Sequence, residues 1–179
     1  MNWSKFSKEV HNNAVEHGWW ETERKFYEVI ALIQSELSEA LEEDRAGHGK
    51  EWYAEGSDKP EGIAVEFADA IIRILDWFGK FDADPTDMMM LAEEDFRKEI
   101  PDGVARSVSW TVAEANYWIS ASYNCWMMAR PSLSYNERLA KAVMVILKWA
   151  VENKIDMDAV LQRKHEYNKT RPYKHGKRF

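Results

Sequence analysis

The chain has 179 residues, a formal net charge of −7, and 45% apolar and 13% aromatic residues. This composition excludes a disordered chain and predicts one domain, residues 1–179, with a sizeable core. The single cysteine, Cys125, excludes an internal disulfide and a cysteine-based zinc site. We find no apolar signal segment and no apolar run of membrane-spanning length, so we expect a cytoplasmic protein without membrane contacts.

The predicted elements are all helices. Apolar residues such as Phe26, Ile33 and Leu37 recur at helical spacing, and no segment alternates as a strand would. Thr22 is a plausible N-cap for the second helix, and Pro60 suits the start of the third. The predicted helices cover residues 2–17, 22–46, 60–79, 84–98, 105–129 and 134–153, and a final one begins near Asp156. The expected fold class is therefore all-α, a helical bundle.

Two pairs of acidic residues stand out on two of these helices. Glu36 and Glu39 are three residues apart, as are Glu66 and Asp69, so each pair projects from one face of its helix. The first pair alone also suits a solvated helix face. The second pair lies in a helix that is apolar over most of its circumference, so its carboxylates must face a partner, a cleft or an ion. Four carboxylates from two helices suit a hard cation such as Mg²⁺.

The helix with the second acidic pair has an echo later in the chain. Residues 67–77 and 139–149 align at an offset of 72, and their apolar positions match, while the two acids fall on Arg138 and Lys141. One interpretation is a duplicated two-helix unit, residues 104–153, that kept its packing face and lost its metal ligands. In that case the two cations could neutralise the clustered carboxylates. The other interpretation is a chance alignment of two amphipathic helices.

The C-terminal segment is basic. From residue 163 to the end there are seven Lys or Arg and one Glu, a net +6, so the remainder of the chain carries −13. Such a tail could bind nucleic acid, but the acidic body argues against broad contact with a phosphate backbone. It suits the anionic end of a small ligand better, because Lys164, Asn168 and Arg171 recur at helical spacing and His175 and Lys177 follow in an end we expect to be flexible.

Taken together, these motifs resemble a known family. The pattern Glu36-x-x-Glu39, then 26 residues, then Glu66-x-x-Asp69 is similar to the signature of the MazG-like all-α nucleoside triphosphate pyrophosphohydrolases. The resemblance is strongest over residues 21–79. It implies that the four acids bind Mg²⁺, with Mn²⁺ as a substitute, and that the protein hydrolyses NTPs or dNTPs to the monophosphate and pyrophosphate in nucleotide pool housecleaning.

The resemblance extends to the tail and to the assembly. The family's basic C-terminal motif is matched by Lys164, Asn168, Arg171, His175 and Gly176. It implies that these residues, with Lys177, bind the phosphates of a nucleoside triphosphate, and that the protein is a homodimer. The stretch from 81 to 153 is longer than short family members carry, which leaves the number of chains in the functional unit open.

Two further residues are candidates for the same reaction. Glu43 could accept the proton of the attacking water, although an exposed helix residue is the commoner interpretation and a metal alone can activate water. Trp20, with its neighbour Trp19, could stack on a nucleobase or could pack the first helix onto the core.

Other classes of function remain open at this point. A non-catalytic helical module that keeps the fold and binds nucleotide or a protein is the main alternative. A di-iron carboxylate bundle normally needs Glu-x-x-His, and no Glu in this chain has a His three residues on.

Overall fold

The computed structural model describes residues 1–90 and 106–176. Within these ranges the fold is all-α, which confirms the predicted class. Lys177, a predicted phosphate-binding residue, and much of the predicted helix 84–98 lie outside the described residues. The helices are α1 (Trp3–Glu16), α2 (Phe26–Arg45), α3 (Ile63–Lys80), α4 (described over residues 85–90), α5 (Val108–Met127), α6 (Ser132–Glu152) and α7 (Met157–Lys169), followed by a 3₁₀ turn, Tyr173–Gly176.

Local capping explains several helix boundaries. Asp156 accepts the backbone N–H of Ala159 at 3.1 Å and starts α7 as predicted. The prediction that Thr22 caps the second helix is wrong, since α2 begins at Phe26. Its start is capped instead by the carboxylate of Glu28, which accepts the backbone N–H of Lys25 at 2.8 Å.

The connection between α2 and α3 contains the only strands in the described part of the chain. They are two residues each, Trp52–Tyr53 and Pro60–Glu61, and they pair antiparallel. Pro60 therefore begins the second strand of a hairpin and does not start α3. Gly62 follows with φ of 114°, and a Cβ there would lie 2.7 Å from the backbone oxygen of Gly49. Only glycine fits this close approach of the two sides of the connection.

Helix α3 lies at the centre of the fold. It packs against α1, α2, α6 and α7, and most of its residues are buried. Helix α2 packs against α3, α5 packs against α6, and the two pairs meet through α2–α5 and α3–α6 contacts. Phe67 and Trp149 join the pairs with ring centroids 4.8 Å apart. Because α3 is apolar and central, any charged side chain on it must be matched by a partner.

None of the described helices combines the length and apolar character needed to cross a membrane. The C-terminal segment is anchored to the connection between α1 and α2 through residues 173 and 174. The backbone N–H of Lys174 donates to the carbonyl of His17 at 2.9 Å, and the Tyr173 hydroxyl donates to Glu21. The Tyr173 ring fills the space beside Gly18, where a Cβ would lie 2.2 Å from a ring carbon.

Candidate metal centre

Three carboxylates converge between α2 and α3. Glu36 and Glu39 on α2 and Glu66 on α3 each offer an oxygen, and these oxygens all lie within 4.8 Å of one another. Glu36 and Glu66 are buried, at 6% and 5% exposure, while Glu39 is exposed. Glu36 becomes buried because it borders the apolar stripe of α2. The structure thus brings together three of the four predicted acids.

The spacing of these oxygens suits a divalent cation. Mg²⁺ binds oxygen at about 2.0–2.1 Å, so oxygens on opposite sides of the ion are about 4.2 Å apart. An upper spacing of 4.8 Å needs only a small side-chain adjustment to reach that value. The donor set is made of carboxylate oxygens alone, which is the chemistry preferred by Mg²⁺ and Mn²⁺. Glu36, Glu39 and Glu66 therefore fit the ion predicted from the sequence.

The fourth acid, Asp69, lies beside this trio and has a different partner. Its Oδ2 contacts the Nζ of Lys164 at 2.8 Å. The Lys164 side chain is only 2% exposed, so the pair is desolvated and closes the centre on the side of α7. Sequence reasoning assigned Lys164 to substrate phosphates. The structure places the same ammonium directly on a predicted metal ligand.

A second cation, Arg73, holds Glu36. Its Nε and Nη2 contact Glu36 Oε1 at 2.7 and 2.5 Å. Arg73 lies on α3 four residues after Asp69, and its partner on α2 was not predicted from the sequence. The cations proposed from the repeat lie elsewhere: Arg138 donates to the carbonyl of Ser134, and Lys141 Nζ lies 4.5 Å from the centroid of the Trp118 ring.

The pKa shifts of the buried groups indicate that the centre carries too little positive charge to balance its carboxylates. Burial raises the pKa of Glu66 to about 8, and the neighbouring charge of Asp69 adds to this effect, while Lys164 opposes it. Burial also raises the pKa of Glu36, although Arg73 offsets part of the rise. Burial lowers the pKa of Lys164, but the charge and hydrogen bond of Asp69 act together with the charges of Glu66 and Glu36, and the net pKa lies above its ordinary value. A divalent cation would supply the missing charge.

Glu43, the candidate base, is engaged by the α2–α3 connection. Its Oε2 accepts a hydrogen bond from Trp52 Nε1 at 2.8 Å and lies 3.1 Å from His48 Nδ1. The same connection is tied to α7, where Arg163 Nε and Nη2 bind the two oxygens of Glu51 at 2.8 and 2.5 Å. These contacts engage one oxygen of Glu43, which lies one helical turn after Glu39 on the acidic face of α2, formed by Glu36, Glu39 and Glu43.

The other tail residues lie along α7 and the turn after it. Asn168 is on the same face as Lys164, is 7% exposed, and its Oδ1 has no hydrogen-bond partner among the described residues. Arg171 is partly buried just beyond α7, and His175 belongs to the 3₁₀ turn. An unpaired buried amide beside Lys164 is a polar group that a bound ligand could satisfy.

Trp20 packs against α3 near the metal centre. Its Nε1 donates to Asp76 Oδ1 at 2.8 Å, and Lys80 Nζ lies 5.2 Å from its ring centroid. A small cavity beside it is lined in part by Trp20, Arg24, Asp76 and Arg73. Since Arg73 also binds Glu36, this cavity is adjacent to the acids.

Comparison of the chain with protein-family models, curated proteins and solved structures gave no match.

Proposed function

We propose that the chain is a Mg²⁺-dependent nucleoside triphosphate pyrophosphohydrolase, which converts an NTP or dNTP to the monophosphate and pyrophosphate. The observation that carries the proposal is the meeting of Glu36, Glu39 and Glu66 within 4.8 Å, flanked by the buried Lys164. The metal would supply Lewis-acid chemistry, polarising phosphate oxygens and lowering the pKa of a bound water.

The residues of the chain have distinct roles in this proposal. Glu36, Glu39 and Glu66 hold the metal, and Asp69 completes the acidic cluster beside them. Lys164 and Arg171 neutralise the phosphate oxygens, and the amide of Asn168 binds one of them. Lys164 would share its charge between Asp69 and the ligand, because an ammonium has three donors and the contact with Asp69 uses one.

Water activation is assigned to the acidic face of α2. Glu43 remains a candidate base, because only its Oε2 is engaged by Trp52 and His48. A base must reach the water that it deprotonates. Because Oε2 is held by the connection, Oε1 is the oxygen of Glu43 that would accept the proton. The trio's exposed member, Glu39, lies on the solvent side of the centre, where a water can enter.

The nucleobase is proposed to stack on Trp20. The indole N–H is already bonded to Asp76, so Trp20 would offer a ring surface and not a hydrogen bond. The family motif implies that His175 and Lys177 also contact the phosphates, and Lys177 lies outside the residues that the structure describes. We also infer a housecleaning role in the cytoplasm. We further infer that the protein is a homodimer, which size-exclusion chromatography with light scattering would test.

The deciding experiment is a panel of dNTPs and NTPs incubated with the full chain and Mg²⁺, with products separated by ion-exchange chromatography. We expect paired release of monophosphate and pyrophosphate, lost in EDTA and in Glu39→Gln. The matched control is Glu42→Gln, an exposed acid of the same helix that pairs with Arg45, and it should keep full activity.

Other outcomes would point to other functions. Release of single phosphates would contradict the proposal and indicate a different hydrolase. Nucleotide binding without any turnover would favour the non-catalytic module. The contacts of Arg73 and Lys164 with the acids would then stabilise the fold and not a metal site.

A further inference from the structure

Two of the four acids already have one oxygen bound to a cation of the chain. Glu36 Oε1 receives both contacts from Arg73, at 2.7 and 2.5 Å. Asp69 Oδ2 receives the contact from Lys164 at 2.8 Å. Neither contact uses the second oxygen of its carboxylate. Each of these acids is therefore left with one oxygen to offer to an ion.

This geometry bears on the number of ions that the centre can hold. Two-metal sites hold their ions about 3.5–4 Å apart. A carboxylate that bridges such a pair gives one oxygen to each ion, so both of its oxygens must be available. Arg73 engages Oε1 of Glu36 and Lys164 engages Oδ2 of Asp69, so neither acid has both oxygens available for such a bridge. Among the described residues no cation contacts Glu66, so a second ion would depend on Glu66 and on the exposed Glu39.

The charge balance of the centre also favours a single divalent ion. Four carboxylates and the two cations, Arg73 and Lys164, leave a charge of −2 when all are ionised. One divalent ion neutralises that charge. A second would leave a surplus of +2 in a centre whose Glu36 and Glu66 are buried, and an uncompensated charge in a low-dielectric site is costly.

We propose that the chain binds a single divalent ion in the absence of substrate, and that Arg73 sets this number by occupying the oxygen of Glu36 that a second ion would need. The inference deepens the proposed function and rests on its metal site. Arg73 is a positioning residue: it acts as a fixed cation in place of a second ion and keeps Glu36 Oε2 available to the first.

The test is a titration of the full-length, metal-free protein with Mn²⁺ in the absence of nucleotide. Calorimetry measures the number of ions bound, and electron paramagnetic resonance measures whether they are coupled. For the wild type we expect one Mn²⁺ per chain and the six-line spectrum of an isolated ion. Arg73→Met keeps much of the side-chain length and removes the charge, so a second Mn²⁺ should bind and the spectrum should broaden through spin coupling. The matched control is Lys141→Met, which removes a buried cation that lies over the Trp118 ring, and it should still bind one ion.

The possible failures are distinguishable. Two coupled ions in the wild type would overturn the inference and leave the metal site standing. One ion in Arg73→Met, with helical content retained by circular dichroism, would overturn the role of Arg73. If that variant does not fold, Arg73→Gln serves the same purpose, and the wild-type stoichiometry remains decisive by itself. No Mn²⁺ binding in the wild type would instead remove the metal site and with it the proposed function.

Discussion

Replacing Glu66 by Gln tests the electrostatics of the centre independently of any activity. The pKa of Glu66 is raised from 4.5 to about 8, mainly by burial. A carboxyl with a raised pKa is favoured in its protonated form in the folded state, so it penalises folding progressively as the pH rises from 4.5 to about 8. At 1.36 kcal/mol per pH unit the full penalty is as much as about 5 kcal/mol.

We expect Glu66→Gln to stabilise the metal-free protein at pH 8.5 by about 2–4 kcal/mol, below the full penalty because the neighbouring charges readjust. Near pH 4.5 the gain should nearly vanish, since the wild-type side chain is protonated there in the folded state. The assay is urea unfolding in EDTA across this pH range. Glu42→Gln, which removes an exposed acid from α2, should change stability by less than about 0.5 kcal/mol at every pH.

Mg²⁺ provides the complementary half of the experiment. It should stabilise the wild type at high pH and should stabilise Glu66→Gln much less, because the variant lacks a ligand and has lost the charge that the ion would relieve. A gain that does not depend on pH, or a loss of stability at high pH, would refute the assignment of Glu66 as a buried, charge-stressed ligand.

Three further predictions concern neighbouring residues. Lys164→Met should destabilise the fold by about 3 kcal/mol in urea unfolding, because it leaves Asp69 without its buried partner, and should raise the KM for nucleotide; an unchanged KM would contradict its phosphate role. Glu39→Gln should abolish turnover while shifting the free energy of unfolding by less than about 1 kcal/mol, since the side chain is exposed; retained turnover would exclude it as a ligand. Trp52→Phe should cost about 1 kcal/mol of stability through the lost bond to Glu43, and should change kcat only if Glu43 takes part in the reaction.

The acidic pairs were predictable because their signal is local. Three-residue spacing on a helix puts Glu36 with Glu39 and Glu66 with Asp69, and the apolar character of α3 implies that its acids are not simply solvated. The start of α2 was missed because two capping residues competed. Thr22 had the right side chain, but the carboxylate of Glu28 was equally well placed for a backbone N–H.

The cations of the centre were harder to predict because their partners are distant in sequence. Arg73 is on the same helix as two of the acids, yet it binds Glu36 on another helix. The basic spacing of α7 predicted that Lys164 binds ligand phosphates, and spacing along one helix carries no information about its contact with Asp69 on α3. The contact of Trp52 with Glu43 depends on the path of the α2–α3 connection, for which sequence periodicity carries no information.

The pairing of Asp69 with Lys164 also bears on how the protein is made. A ribosome releases the chain from its N-terminus, so the acids of α2 and α3 emerge well before α7 does. Until α7 docks, the nascent centre has Arg73 but lacks Lys164, and its excess negative charge favours keeping those helices apart or hydrated. Completion of the site is thereby tied to the docking of α7.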